Sequence, residues 1–152
     1  MDPTIQGVAT IWTVGYERLL PEQLAAELRV AGVERLIDVR YRPQSRRPGM
    51  SKTRLGELLG DHGIAYEHRK ALGTPPDIRW LFHAGKLDQA REAYAEHVEA
   101  TAAAALDALA DELDTAPPTA LMCLEADPAA CHRSLVAAAL RSRRPDLEVI
   151  DL

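Results

Sequence analysis

Two kinds of apolar pattern alternate along the chain. β-branched and aromatic runs, typical of buried strands, occur at 10–15, 33–39, 64–68 and 119–125 and in the closing "LEVIDL". Helical spacing of leucine and alanine follows Pro21 and Ser51, begins again near Asp77, extends from about Lys86 to Leu113, and returns from about Pro128 to Ser142. The pattern therefore predicts about five strands separated by helices.

The order of these elements predicts the fold class. Strands that alternate with helices favour a mostly parallel sheet with helices on both faces, because parallel neighbours need crossover connections. We therefore expect residues 1–152 to form a single three-layer α/β domain, Rossmann-like or flavodoxin-like, with about five strands. Ligands of such domains bind beyond the carboxyl ends of the strands, so polar residues at those ends become candidates for the site.

Composition limits the class of protein. With 47% hydrophobic residues in a chain of 152, one core can form without disulfides or metals. No apolar run approaches the roughly 20 residues that span a bilayer, and "MDPTIQGVAT" lacks the features of a secretory signal. We therefore expect a soluble cytoplasmic protein with no membrane partner, in which the two cysteines are thiols.

Positive charge is concentrated in one segment. The net charge of −5 argues against indiscriminate binding of nucleic acid, yet residues 39–56 carry six basic residues and no acid. Within "DVRYRPQSRRPG", the guanidinium groups of Arg40, Arg42, Arg46 and Arg47 repel one another unless an anion lies between them. We interpret this loop as a binding site for a phosphorylated or otherwise anionic ligand. The alternative is that some arginines pair with acids such as Asp38 and the rest are solvated.

The segment "CLEADPAACHRSL" combines sulfur, imidazole and charge. Because Asp127 and Pro128 precede the last predicted helix, Cys131, His132 and Arg133 should fall in its first turn. Free backbone N–H groups and the helix dipole stabilise a thiolate there, so Cys131 is a candidate nucleophile or anion contact. The alternative is a small buried residue that packs the helix onto the sheet.

The same segment offers groups for other chemistry. Glu125 and Asp38 end strands, so each is a candidate general base or ligand for a sugar hydroxyl, unless it only balances the arginines. Cys123 lies within an apolar strand and is expected in the core. A zinc site would join Cys123, Cys131 and His132, with Glu125 as a fourth ligand. Seven residues separate the cysteines and adjacent side chains rarely converge, so we predict no metal site. The standard nucleotide-binding glycine loops do not occur, and the cofactor stays open.

Four segments together resemble a known family. "TVGYE", "IDVRYRPQSRRPGM", "GIAYEHRKALGTP" and "LMCLEADPAACHR" are similar, in order and spacing, to the signature segments of the bacterial family of domain of unknown function 488. The resemblance implies a compact α/β domain. Motif positions are held by Gly15, Tyr16, Asp38, Arg40, Pro43, Ser45, Arg46, Gly73, Glu125, Cys131, His132 and Arg133. Met50 departs from the pattern, since an aromatic residue often stands there.

These observations lead to one candidate site and competing functions. We predict catalytic roles for Cys131, Glu125 and Asp38, and ligand binding by Gly15, Tyr16, Arg40, Arg42, Ser45, Arg46, His132 and Arg133. The first hypothesis is an enzyme, a transferase or hydrolase, acting on a nucleotide or nucleic-acid end. The alternatives are a non-catalytic module that binds or senses an anionic metabolite or nucleic acid, and a redox switch in which Cys123 and Cys131 join reversibly.

Overall fold

A five-stranded parallel sheet forms the centre of the protein. The computed structural model describes residues 9–152. The strands are β1 (Thr10–Gly15), β2 (Arg35–Asp38), β3 (Ala65–His68), β4 (Thr119–Cys123) and β5 (Glu148–Asp151), in the order β3-β2-β4-β1-β5. Every strand pair is parallel. The predicted α/β class is confirmed, although the strand order is neither of the two common doubly wound orders.

Six helices connect the strands. They are α1 (Pro21–Ala31), α2 (Lys52–Asp61), α3 (Pro76–His83), α4 (Leu87–His97), α5 (Ala103–Glu112) and α6 (Arg133–Arg143). A π-helical segment, Val98–Ala102, joins α4 to α5, so the predicted long helix is continuous but wider at that point. Short 3₁₀ turns lie at Lys70–Leu72 and Pro128–Ala130. Among residues 9–152, no helix has both the length and the apolar character needed to cross a membrane.

The apolar stripes of the helices cover both faces of the sheet. On one face, Leu24 and Leu28 of α1 and Leu55 and Leu59 of α2 pack on strand residues such as Val14. The opposite face is covered by α3 to α6, whose buried residues include Ile78, Tyr94, Leu106, Leu109, Val136 and Leu140. The middle strand β4 is buried along its whole length. The result is a three-layer arrangement of helices, sheet and helices.

The start of the last helix differs from the prediction. Pro128–Ala130 form a separate turn, capped by the Asp127 carboxylate, which accepts a hydrogen bond from the Ala129 N–H at 2.9 Å. Cys131 is extended, with φ −133° and ψ 151°, and α6 begins only at Arg133. The prediction of Cys131 inside the first turn of the helix is therefore wrong, because Asp127 caps a separate short turn that ends at Cys131.

Candidate functional site

A pocket opens at the carboxyl edge of the sheet, between the loops that follow β1, β2 and β4. One wall consists of residues from the arginine-rich loop and α3, and the other of residues from the turn after β4. The lining residues are Tyr16, Arg40, Tyr41, Arg42, Gln44, Thr74, Arg79, Phe82, His83, Cys123, Leu124, Glu125, Cys131 and His132. The location agrees with the general rule for open α/β sheets, in which ligands bind beyond the carboxyl ends of the strands.

The loops after β1 and β4 run side by side because Gly15 lacks a side chain. An added Cβ at this position would overlap the carbonyl oxygen of Glu125. The Tyr16 N–H donates to the Cys123 carbonyl at 3.2 Å, and the Glu17 N–H donates to the Leu124 carbonyl at 2.8 Å. Gly15 therefore shapes the site through its backbone, and it brings Tyr16 and Glu125 to the same pocket.

Asp38 and Arg40 form a buried pair behind the pocket. The fully buried Asp38 carboxylate accepts hydrogen bonds from the Arg40 Nε at 2.9 Å, from its Nη2 at 2.7 Å and from the Tyr66 hydroxyl at 2.5 Å. Burial alone would lower the pKa of Arg40, but the hydrogen bonds and charge of Asp38 outweigh it and raise that pKa above its ordinary value. Arg40 also donates to the Tyr16 hydroxyl at 3.2 Å. Asp38, whose oxygens are occupied, thus positions Arg40 and does not line the pocket.

The arginine-rich loop is held by hydrogen bonds to backbone. Arg47 Nη1 donates to the carbonyls of Tyr16 at 2.7 Å and Glu17 at 2.8 Å, and its Nη2 donates to the Leu19 carbonyl. Ser45 Oγ accepts from the Arg47 N–H at 3.1 Å, and Ser51 Oγ accepts from the Ser45 N–H at 3.0 Å. Ser45 and Arg47 therefore fix the shape of the loop, and neither lines the pocket.

Two arginines face the pocket without a partner in the described chain. Arg42, from the loop, and Arg79, from α3, are both exposed residues of the lining. Within residues 9–152, neither guanidinium makes a hydrogen bond or an ion pair. Arg46 is also exposed but lies outside the lining. Of the loop arginines predicted to bind an anion, Arg42 thus lines the pocket without a partner in the described chain. Arg79, on the helix predicted near Asp77 but not itself predicted for the site, lines the pocket with it.

The two cysteines meet at the opposite wall. Cys123 ends β4, Cys131 precedes α6, and both are buried. Their sulfur atoms are in bonding contact as a disulfide, with the Cα atoms 7.2 Å apart. Cys123 is in the core as predicted, yet its sulfur also reaches the pocket because β4 ends there.

His132 presents a lone pair to this sulfur pair. Its Nε2 lies 2.7 Å from the Val39 carbonyl oxygen, which can only accept, so Nε2 carries the proton. Nδ1 is then unprotonated, and it lies 3.8 Å from Cys131 Sγ. Burial lowers the pKa of His132 to about 4, against the opposing effect of the Val39 hydrogen bond. The imidazole is therefore neutral at pH 7.

Glu125 stands at the rim of the cysteine wall. Its Oε2 lies 3.7 Å from Cys123 Sγ, and its Oε1 lies 3.9 Å from His83 Nε2 on α3. Burial raises the pKa of Glu125 above its ordinary value. This raised pKa suits a carboxyl group that exchanges protons in the pocket.

Arg133 supports the turn after β4 from below. Its side chain is fully buried, and Nη1 donates to the Glu125 carbonyl while Nη2 donates to the Ala126 carbonyl at 3.1 Å. Nη1 also lies 3.5 Å from Cys123 Sγ. Burial lowers the pKa of Arg133. Arg133 is absent from the lining, whereas Cys131 and His132 before it belong to the lining, so Arg133 holds the turn in place.

The structure brings about half of the predicted residues together. The predicted residues in the lining are Tyr16, Arg40, Arg42, Glu125, Cys131 and His132; those outside it are Gly15, Asp38, Ser45, Arg46 and Arg133. The residues that sequence reasoning missed include Gln44, Thr74, Arg79, Phe82 and His83. The available signal was Gly73, since an added Cβ there would lie 2.5 Å from the Tyr41 Cα atom and this contact brings the Thr74 segment to the pocket.

Comparison with known proteins identifies the family. No curated protein and no solved structure matches the chain significantly. One family model, described as domain of unknown function DUF488, matches residues 21–140. This range contains β2 to β4, the arginine-rich loop and the segment from Cys123 to Arg133. The chain therefore belongs to the DUF488 family, as the four segments of its sequence predicted.

Proposed function

We propose that this protein is an enzyme, a transferase or hydrolase, that binds a phosphate-bearing ligand in the pocket at the carboxyl edge of the sheet. One observation carries the proposal. Two arginines without partners in the described chain, Arg42 and Arg79, line the same pocket as Cys131, His132 and Glu125. Positively charged residues on one wall can bind the ligand, while nucleophilic or proton-exchanging groups on the other wall can react with it. This arrangement is common in enzymes that catalyse group transfer.

Binding of an anion by the pocket is supported by the unpaired positive charge of its arginines. Guanidinium groups that line one pocket repel each other and gain strongly from a doubly charged phosphate, which accepts from both planar forks. Arg40 adds to the positive field although its own hydrogen bonds go to Asp38 and Tyr16. Phosphate suits these two arginines better than a carboxylate does, because it has more acceptor oxygens and more negative charge.

A groove beside the arginines favours a nucleotide or nucleic-acid end over a small sugar phosphate. The groove shares Arg42 and Arg79 with the pocket and continues over Tyr41, Pro76 and Trp80. Trp80 is 58% exposed, a large fraction for an indole. An exposed aromatic ring beside a phosphate grip can stack a base.

A thermal-shift experiment tests the binding. Nucleoside mono- and diphosphates and short 5′-phosphorylated oligonucleotides should raise the melting temperature, while their unphosphorylated counterparts should not, because only phosphate engages the arginines. Arg42→Ala and Arg79→Ala should each remove the shift. Arg54→Ala, which changes an exposed arginine of α2 outside the pocket, serves as the matched control. Equal shifts with and without phosphate, or unchanged shifts in both pocket variants, would contradict the proposal.

Chromatography of the bound ligand tests turnover. Parent protein should convert the ligand on incubation, whereas Cys131→Ser and Glu125→Gln should slow conversion by at least about tenfold while keeping the thermal shift. Recovery of an unchanged ligand after long incubation would contradict the enzyme proposal and favour a binding or sensing module.

The contact between Cys123 and Cys131 favours a second candidate, a thiol redox switch. Hydrogen peroxide would oxidise the two thiols to the disulfide and be reduced to two water molecules. Mass spectrometry after mild oxidation should then detect the linked peptides, and the thermal shift by phosphate ligands should change. Oxidised protein without linked peptides would eliminate this candidate.

A further inference from the structure

Three soft ligand atoms converge beside the pocket. Cys123 Sγ, Cys131 Sγ and one imidazole nitrogen of His132 lie within 4.8 Å of one another, and all three residues are buried. Thiolate and imidazole are the ligands that zinc prefers in proteins. Two thiolates also balance the double charge of the ion, which matters at a wall that faces several arginines.

We propose that the reduced protein binds one zinc ion between Cys123 Sγ, Cys131 Sγ and His132 Nδ1. The separation between Cys131 Sγ and His132 Nδ1 fits a tetrahedral ion. Zinc–sulfur and zinc–nitrogen bonds of about 2.3 and 2.0 Å place sulfur and nitrogen roughly 3.6 Å apart across a tetrahedral edge. Cys131 Sγ and His132 Nδ1 are 3.8 Å apart.

The second nitrogen of His132 is bound as in known metal sites. Histidine ligands of metals almost always donate their other N–H to a carboxylate or a backbone carbonyl, which fixes the tautomer and the orientation of the ring. Nε2 of His132 makes this bond to Val39, so the Nδ1 lone pair points at the two sulfurs. A disulfide has no use for that lone pair, whereas a metal ion does.

The backbone separation of the cysteines also favours an atom between the sulfurs. Disulfides usually join Cα atoms about 4.4–6.8 Å apart, and a metal ion between two thiolates spans a wider gap. The Cα atoms of Cys123 and Cys131 are 7.2 Å apart. Arg133 Nη1, 3.5 Å from Cys123 Sγ, is placed to donate to a thiolate ligand.

Local backbone geometry explains how adjacent residues share one ion. Cys131 is extended, with ψ 151°, and His132 is helical, with φ −70° and ψ −13°. The change of conformation between them turns two neighbouring side chains toward the same point. The sequence argument against zinc, that adjacent side chains rarely converge, therefore does not apply at this junction.

Three protein ligands would leave a fourth position on a tetrahedral zinc ion, and all three of these residues line the pocket. Catalytic zinc sites keep such a position for water, whereas structural sites fill it. If the proposed function holds, on which this step alone rests, this water would face the phosphate-bearing ligand and the reaction would be a hydrolysis. One water is consumed, with its hydroxide bonding to the attacked atom and its proton going to the leaving group.

Metal analysis of the full chain tests the site without any activity assay. Protein reduced and handled under anaerobic conditions, loaded with zinc and dialysed, should contain one zinc per chain by mass spectrometry. Cobalt in place of zinc should give thiolate-to-cobalt charge-transfer absorption. Cys123→Ser, Cys131→Ser and His132→Gln should each weaken zinc binding by at least about tenfold. His62→Gln, which changes a histidine at the end of α2, should bind as the parent does.

Further measurements separate the possible failures. Reduced parent protein that shows two titratable thiols and retains no zinc would overturn the site, as would equal binding in the parent and the Cys123→Ser, Cys131→Ser double variant. Should a variant unfold, protection of both thiols from alkylation by zinc in the parent decides the question. Arg42→Ala and Arg79→Ala should keep the zinc while losing the phosphate ligand. Zinc without phosphate binding would therefore contradict the proposed function and leave the metal site standing.

Discussion

Two groups of arginines lie near the sheet, and they differ in whether the fold supplies a carboxylate partner. Beside β2 and β3, Glu112 accepts hydrogen bonds from Arg35 at 2.7 Å and from Arg69 at 2.6 and 2.9 Å, and Arg69 also bonds to Glu67 at 2.9 Å. In the pocket, Arg42 and Arg79 face the cysteine wall and make no such bond within residues 9–152.

The contrast separates arginines that are paired within the fold from arginines that have no partner within residues 9–152. In the Glu112 network each guanidinium bonds directly to a carboxylate, so charge is balanced within the fold. The Asp38–Arg40 pair has the same character although Arg40 lines the pocket. Arginines of the first kind should matter for stability and those of the second kind for binding.

The largest effect is expected at Asp38, the partner that anchors Arg40. Asp38→Ala leaves a buried guanidinium and the Tyr66 hydroxyl without their acceptor, so the free energy of unfolding should fall by about 3–5 kcal/mol. Urea denaturation measures the change. Asp61→Ala, at an exposed aspartate of α2, should change it by less than about 0.5 kcal/mol, and equal effects would show that the buried pair is not special.

A smaller loss is expected where backbone contact shapes the pocket. Gly15→Ala places a methyl group against the Glu125 carbonyl, which must move, so unfolding should become about 1–3 kcal/mol easier. Gly60→Ala is the matched control, because nothing lies within 4 Å of its added Cβ and it stands in α2. The free energy of unfolding of the Gly60→Ala variant should rise by about 0.5–1 kcal/mol. Denaturation curves that shift together would refute the close approach of the two loops.

The Glu112 network should give the protein a specific acid sensitivity. Hydrogen bonds from Arg69, and then Arg35, outweigh partial burial and lower the pKa of Glu112 from 4.5 to about 2. A lowered pKa stabilises the fold above about pH 4.5, and this stability is lost as the pH falls toward 2. Glu112→Gln should lower the free energy of unfolding at pH 7 by about 1–2 kcal/mol. This is less than the whole pKa shift would give, because the carboxylate is one-third exposed and solvent screens its ion pairs.

Denaturation at pH 7, 4 and 3 checks the sign of this effect. The difference between parent and Glu112→Gln should shrink as the pH falls, since protonation removes the same charge. Glu99→Gln, at an exposed glutamate, is the control and should follow the parent at each pH. A difference that grows toward low pH would contradict the lowered pKa.

The smallest effect on stability is expected for the unpaired arginines. Arg42→Ala and Arg79→Ala should change the free energy of unfolding by less than about 0.5 kcal/mol, because no bond within residues 9–152 is broken. The same variants should abolish the thermal shift by phosphate ligands. A loss above 1 kcal/mol in either variant would place that arginine with the structural group instead.

The strands and helices were predictable because their apolar periods are regular. β1 was predicted at its observed residues, and α1 ends at Gly32, whose φ of 83° suits glycine. The features that the sequence did not predict depend on local hydrogen bonds between side chains and backbone. Ser51 is the N-cap residue of α2, but its hydroxyl accepts a hydrogen bond from the Ser45 N–H across the loop and none from the helix. A bond between loop residues leaves no periodic trace in the sequence.

The site was predictable where residues follow strands and unpredictable where side chains choose partners. Arg42 and Glu125 line the pocket because strand ends meet at one edge of a parallel sheet. Asp38 and Arg40 share that position, yet Asp38 is absent from the lining and Arg40 is bound within the fold. Cys131 and Arg133 were predicted at a helix start, and of these two residues only Cys131 lines the pocket. Only the folded geometry distinguishes an arginine with an internal acceptor from one that faces solvent.

The central place of β4 has a consequence for the synthesis of the protein. Within the part of the chain that the structure describes, β1 pairs only with β4 and β5, and β4 lies between β1 and β2. While the chain emerges from the ribosome, β1 therefore has no neighbour until residues 119–123 arrive. Cys123 is the last residue of this strand, and Cys131 follows directly after the short turn Pro128–Ala130. A nascent chain thus acquires its sulfur pair only as the sheet closes, and a product cut short before β4 would expose unpaired strands to proteases.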